Sequence, residues 1–147
     1  MKAHIGVDAD SGLVHGVRGV SGHVSDIAEG NSLLHGQEKL GFGDAGYQGI
    51  EKRPDAKVDV IWRIAMWPGK RKKLDKTNEA DAMLDKAEKL KAGVRARVEH
   101  PFRVIKRQFG HLKVRYRGLK KNTAQLFTVF ALSNLWMMRS TLVGAEA

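Results

Sequence analysis

The sequence predicts an α/β (α+β) protein of a single domain, residues 1–147, with elements in the order β-β-α-β-β-α-α. A chain of 147 residues suits one domain, and 42% apolar residues suffice for a core. Short β-prone segments separated by turn formers fill the first half. In the second half apolar residues recur at three- and four-residue steps, as in a helix that buries one face.

The N-terminal segment is predicted to form a β-hairpin. Residues 2–8 and Leu13–Val20 are both β-prone. Between them, Asp8–Gly12 consists mostly of residues that favour turns. The two strands should therefore pair directly.

The next segments alternate between helix and strand. Ser25 is a suitable N-cap for a short helix that reaches Leu34. Lys39–Gly49 predicts a strand that runs into a glycine-rich turn. Val58–Met66 is almost entirely apolar, which predicts a strand in the middle of a sheet.

The second half is predicted to be mainly helical. A first helix extends from about Asn78 to Phe109, and Pro101 should kink or break it, since proline within a helix costs roughly 3 kcal/mol. A last apolar helix extends from about Thr123 to Met138 and should pack into the core or against a partner. No uninterrupted apolar run approaches the roughly 18 residues of a membrane span.

The charge is strongly positive and unevenly distributed. The formal net charge is +10. Arg63–Lys121 holds 19 basic residues against 6 acidic ones, whereas the remainder holds 7 against 10. Such asymmetry is typical of a nucleic-acid-binding surface. The absence of cysteine excludes disulfides and Cys-based zinc sites, and the six histidines lack metal-ligand spacing.

Two basic segments are candidate phosphate contacts. The first is predicted to be a loop containing Lys70, Arg71, Lys72 and Lys73. The second, His111–Lys121, contains Tyr116 between Arg115 and Arg117, so a base could stack on the ring. Solvated basic loops explain both segments equally well.

Two carboxylates are candidates for chemistry. Asp44 follows a short strand and precedes a glycine-rich turn, a place where a rigid acid can face solvent; it is also a good turn former. On a helix, Glu99 lies within roughly 40° of Arg95 and Lys106. An ordinary salt bridge with Arg95 is the alternative for Glu99.

Two longer motifs contain these carboxylates. Gly43–Gly49 resembles the second catalytic aspartate motif of insertion-sequence DDE transposases (IS4/IS5-like), and Val98–Lys106 resembles their catalytic glutamate motif. That family often shows tyrosine, arginine, glutamate and lysine at fixed spacing, and here the tyrosine position holds Ala92. The resemblance extends over nearly the whole chain, including Lys2–Asp8, Asn122–Leu126 and Leu132–Leu135.

The resemblance implies an RNase H-like fold, a mixed five-stranded sheet flanked by helices. It also implies metal-dependent cleavage and transfer of DNA strands, with Mg²⁺ (or Mn²⁺) held by Asp44 and Glu99 as catalytic and metal-binding residues. The expected partners are double-stranded transposon ends and target DNA, with a homo-oligomer when intact, no membrane, and a bacterial cytoplasmic, nucleoid-associated location. The DNA contacts would be Arg95, Lys106, Arg103, Lys70, Arg71, Lys72, Lys73, Arg115 and Arg117.

The resemblance also leads us to expect an incomplete enzyme. In the family, the first catalytic aspartate lies on a strand upstream of the segment that resembles Lys2–Asp8, so we expect a truncated, inactive fragment lacking that strand. Asp8 and Asp10 could replace the missing acid, but a role in the hairpin turn fits them better. The alternative functions are a non-catalytic basic nucleic-acid-binding module and a protein that binds membrane surfaces or other polyanions.

Overall fold

A computed structural model describes residues 1–57 and 59–144 and confirms the α/β class. The element order also follows the prediction, with short helical turns added. The strands are β1 (Lys2–Val7), β2 (Val14–Val20), β3 (Leu40–Gly43) and β4 (Ile61–Ile64). The helices are α1 (Asp26–Gly30), α2 (Pro68–Arg71), α3 (Glu79–Arg107) and α4 (Leu119–Gly144), with 3₁₀ turns at Asn31–Leu33, Ala45–Tyr47 and Ile50–Lys52.

The chain divides into two compact units. The first contains Met1–Val24 and the chain from Arg97 onward, and the second contains Ser25–Ala96. Strands β1 and β2 form an antiparallel pair in the first unit, and β3 and β4 form a parallel pair in the second. Within the described ranges the four strands form these two separate ladders. This arrangement of small sheets and helices is compatible with an RNase H-like fold.

The hairpin turn of the first unit is organised by Asp8. Its Oδ1 accepts hydrogen bonds from Ser11 N and Ser11 Oγ, both at 2.6 Å, and from Asp10 N at 3.2 Å. The hydrogen bond from the Ser11 hydroxyl, together with those from the backbone, lowers the pKa of Asp8. The predicted turn role of Asp8 is confirmed.

The core of the first unit forms where α4 packs on β2 and on the end of α3. The rings of Phe102 and Phe130 meet edge to face with centroids 5.4 Å apart, and Phe130 is 1% exposed.

The expected break of the helix at Pro101 is wrong, because α3 runs through this residue. Val104 and Ile105, one helical turn after the proline, are buried. Their packing offsets the hydrogen bond that proline cannot donate.

Helix α4 is longer than predicted at both ends, and one polar side chain attaches it to the hairpin. Asn134 Oδ1 accepts a hydrogen bond from Val14 N at 2.9 Å, and Asn134 Nδ2 donates one to Val14 O at 2.8 Å. Both polar groups of the Val14 backbone are thus satisfied at the start of β2.

The other side of α4 is apolar and exposed. Phe127, Leu135 and Leu142 are each more than half exposed. By length and composition alone, α4 could cross a membrane, a test that core helices of soluble proteins also pass. Polar residues such as Gln125 interrupt the apolar residues of α4, so the sequence contains no uninterrupted apolar run of that length. A single helix of this kind is weak evidence for a membrane span.

The second unit corrects the prediction for β4. The strand covers only Ile61–Ile64, and among the described residues it pairs with β3 alone, so the expected central strand is wrong. Val60 N donates a hydrogen bond to Lys57 O just before the strand, and Ile61 is 55% exposed. Val58, part of that prediction, lies outside the described residues.

Ser25 occupies the predicted N-cap position of α1, but its side chain makes no capping hydrogen bond.

Replacing Asn134 tests the attachment of α4 to the hairpin. Asn134→Leu should lower the free energy of unfolding by about 1–3 kcal/mol, because the Val14 N–H and C=O lose their partners. Asn134→Asp keeps an acceptor for the N–H and should cost less. Urea denaturation measures both, and an unchanged midpoint for Asn134→Leu would contradict the role of this side chain.

Candidate functional site

Asp44 lies on the surface directly after β3. It is exposed and is the N-cap of the 3₁₀ turn Ala45–Tyr47, where its Oδ1 accepts a hydrogen bond from Gly46 N at 2.9 Å. Asp44 therefore has the turn-forming role that the sequence left open. The turn uses only one carboxylate oxygen, so Asp44 can be both a turn former and an exposed acid at the end of a strand.

The turn that carries Asp44 is attached to the end of β4 at one residue, Ala65. Ala65 N donates a hydrogen bond to Gly43 O at 2.9 Å, and Gln48 Nε2 donates one to Ala65 O at 2.8 Å. A Cβ on Gly43 would lie 2.9 Å from Ile64 Cδ1 and 3.1 Å from Tyr47 Cβ, so a larger residue there would require these side chains to move. These contacts hold the chain on both sides of Asp44.

The end of β4 is in turn held by α3. Lys91 Nζ donates to Ile64 O at 2.9 Å, and Glu88 Oε2 accepts from Met66 N at 2.9 Å. Glu88 is 5% exposed and also pairs with Lys91, with 2.6 Å between Oε1 and Nζ. Burial acts to raise the pKa of Glu88, but the hydrogen bonds from Lys91 and Met66 N outweigh it and lower the pKa. Glu88 therefore serves as a charged anchor in the second unit.

A second carboxylate, that of Asp26, adjoins the Asp44 turn. A Cβ built on Gly46 would lie 3.1 Å from Asp44 Oδ1 and 3.4 Å from Asp26 Oδ2, so the two acids are neighbours. Burial, followed by the charges of Asp26, Asp44 and Glu29, raises the pKa of Tyr47 to about 12. Sequence reasoning missed Asp26, since nothing in a five-residue helix indicates a neighbour 18 positions away.

Glu99 lies in the first unit on the exposed side of α3. Together with Arg103, Lys106 and Arg107 it lines an open groove of about 480 Å³, with Phe102 as the apolar wall. All four charged side chains are exposed. Glu99 and Lys106, which helical spacing predicted to be neighbours, thus line one groove, whereas Arg95, the third residue of that prediction, does not line it. The groove also contains Arg103, a predicted DNA contact, and Arg107, which the sequence analysis did not select.

The first basic segment is only partly the predicted loop, because Lys70 and Arg71 end the short helix α2 and Lys72 and Lys73 lie in the turn that follows. Pro68 provides the first residue of α2, and Trp67 O accepts from Lys70 N and Arg71 N at 2.9 and 3.0 Å. Arg71 donates to Asp85 Oδ1 through Nε and Nη2, both at 2.9 Å. Arg71 therefore has a structural partner, whereas the side chains of Lys70, Lys72 and Lys73 are exposed.

The remaining predicted contacts are distributed over both units. Arg115 and Arg117 are exposed on the segment between α3 and α4, in the first unit. Arg95 is half-buried on the part of α3 that belongs to the second unit, which also contains Asp44 and the basic segment Lys70–Lys73. Asp10 is in the first unit, where its carbonyl accepts a hydrogen bond from Arg97 Nη1 at 3.2 Å.

The donor chemistry at Asp44 fits a divalent cation. Mg²⁺ and Mn²⁺ prefer carboxylate oxygens and usually keep several waters. Asp44 is exposed, has one oxygen outside the turn hydrogen bond, and has the Asp26 carboxylate beside it. Hard oxygen ligands are therefore available in the second unit.

The raised pKa of Tyr47 predicts a specific loss of stability in alkali. The protonated phenol contributes stability that is fully present below pH 10, the ordinary pKa, and is lost as the pH rises towards about 12. Tyr47→Phe cannot titrate, so its stability should fall less over this range. Urea midpoints of both proteins from pH 9 to 12 measure the difference, and parallel curves would refute it.

One protein family matches most of the chain. The family described as "Transposase DDE domain" matches residues 1–135. No solved structure gives a significant match to the chain. The family match covers most of the chain, including both carboxylate motifs and the groove, and so the chain belongs to the transposase DDE domain family.

Proposed function

We propose that the chain acts in DNA transposition by metal-dependent cleavage and joining of DNA strands, with Asp44 and Glu99 as two of its catalytic carboxylates. The single observation that carries this proposal is the exposed Asp44 on a turn fixed at both ends by Ala65. Fixed carboxylates keep their position when charge develops on a phosphate. A bound Mg²⁺ or Mn²⁺ would supply activation of the attacking oxygen and neutralisation of phosphate charge.

The groove around Glu99 supports the DNA part of the proposal. Three cations, Arg103, Lys106 and Arg107, adjoin one carboxylate on an exposed surface. Arginine and lysine in this arrangement bind the non-bridging oxygens of a phosphodiester. Glu99 then lies beside the bound phosphate, where a carboxylate can act as a ligand or base.

We further propose that Asp8 does not serve as a third catalytic acid and that the chain by itself cleaves DNA poorly. The Asp8 oxygen that faces the hairpin turn is engaged by Ser11 and Asp10 N, which commits this side chain to structure. A non-catalytic binding module remains the second candidate function. One observation favours this second candidate. Asp44 Oδ1 accepts a hydrogen bond from Gly46 N, and this structural role by itself explains an aspartate at position 44.

Neutralising the groove should weaken binding to duplex DNA. Lys106→Gln should lower affinity for all duplex sequences and reduce the slope of log K against log salt by about 1, because one phosphate contact is lost. Lys86→Gln removes the same charge from an exposed site in the other unit and is the matched control. Fluorescence anisotropy at several salt concentrations measures both. Equal slopes for the two variants would exclude the groove as the DNA contact.

A nicking assay on supercoiled DNA distinguishes catalysis from binding. With Mg²⁺ or Mn²⁺, we expect little nicking by the chain alone, together with weak Mn²⁺ binding, measured by electron paramagnetic resonance, that Asp44→Asn abolishes. Asp59→Asn, at another exposed position in the same unit, should retain that binding.

The opposite results would each change the assignment. Robust nicking abolished by both Asp44→Asn and Glu99→Gln would mean that the site is complete, with Asp26, beside Asp44, and Asp10 as the candidates for a third acid. If the chain binds DNA but shows neither nicking nor Mn²⁺ binding that depends on Asp44, its function would be that of a non-catalytic DNA-binding module.

A further inference from the structure

The loop between α3 and α4, residues 108–118, presents one aromatic ring among cations. Gly110 (φ +61°) and Gly118 (φ +87°) adopt left-handed conformations near its two ends, which turn the chain out of one helix and into the next. Lys113, Arg115 and Arg117 are all exposed. Tyr116 lies between the two arginines and is 52% exposed.

The backbone beneath this exposed ring is fixed by a buried side chain. Asn122, which is 5% exposed, accepts a hydrogen bond from Tyr116 N at 3.1 Å through Oδ1. Its Nδ2 donates to Tyr116 O at 2.6 Å and to Gly118 O at 2.8 Å. One amide thus satisfies both backbone groups of Tyr116. The ring is exposed on a segment that does not have to become ordered when it binds.

The charges beside the ring favour an anionic partner. Arg115 Nη2 donates to Gly110 O at 3.3 Å, which holds this guanidinium along the loop. Arg117, the residue after Tyr116, is also exposed. An exposed ring preceded and followed in the sequence by exposed arginines suits a nucleotide, whose base stacks on the ring while its phosphate meets a guanidinium.

We propose that Tyr116 is a stacking platform for an unpaired base, so that loop 108–118 binds single-stranded or frayed DNA in addition to duplex phosphates. An internal base of a duplex is already stacked on both faces, so an exposed ring can receive only a base that has left the stack. The inference rests on the proposed role in DNA binding and specifies the form of DNA that this loop recognises.

The test compares a fluorescein-labelled twelve-nucleotide thymidine strand with a twelve-base-pair duplex, by anisotropy at fixed salt. Tyr116→Leu keeps the apolar bulk but removes the π face, and should weaken single-strand binding about 10-fold. Tyr116→Phe should bind like the parent chain, and duplex binding should change little in either variant. Photo-crosslinking of a 5-iodouracil strand, mapped by mass spectrometry, should label Tyr116 in the parent chain and the substituted ring at the same position in the Tyr116→Phe variant.

Each alternative outcome separates the two proposals. Equal single-strand affinity for Tyr116→Leu and the parent chain, or crosslinks only elsewhere, would overturn the stacking platform while leaving duplex binding intact. Failure to bind either DNA would overturn the proposed function as well. Leu112 and Val114 are also exposed, so binding to vesicles of anionic lipid without binding to the thymidine strand would assign the loop to a membrane surface and overturn the inference.

Discussion

Helix α3 supplies side chains to both units, and each unit depends on the residues that its own part of the helix presents. In the second unit the helix presents Glu88 and Lys91 to the end of β4. In the first unit it presents Phe102 and Ile105 to the core beneath α4. A proline inside a helix is tolerated only when packing exceeds its cost of roughly 3 kcal/mol, and the buried residues that follow Pro101 meet that condition.

The position of Asp44 depends on residues outside its own turn. Ala65 holds the turn through backbone hydrogen bonds, and the peptide groups on either side of Ala65 are held by Glu88 and Lys91. Burial makes the Glu88–Lys91 pair sensitive to substitution, because removing one partner leaves a charge without compensation. A change at Glu88 would thus disturb the Asp44 turn indirectly, first through the hydrogen bond to Met66 N and then through the hydrogen bonds of Ala65.

Local patterns predicted the parts of the fold that local forces determine. The hairpin around Asp8 and the turn at Asp44 followed from turn chemistry, and helical spacing predicted that Glu99 and Lys106 would lie close together. Features set by distant contacts were missed. The passage of α3 through Pro101 depends on burial under α4, and the proximity of Asp26 to Asp44 depends on how α1 packs. No pattern in the sequence around Pro101 or Asp26 contains that information.

The first unit is discontinuous in sequence, and this has a consequence for synthesis on the ribosome. The start of β2 is completed by Asn134, 120 residues later, whereas the second unit is a continuous segment. At about 5–20 residues per second, the hairpin waits roughly 5 to 20 seconds after its own synthesis for α4 to be made. The second unit can fold during that interval. Vectorial synthesis therefore imposes an order of folding in which the N-terminal strands are among the last to reach their final partners.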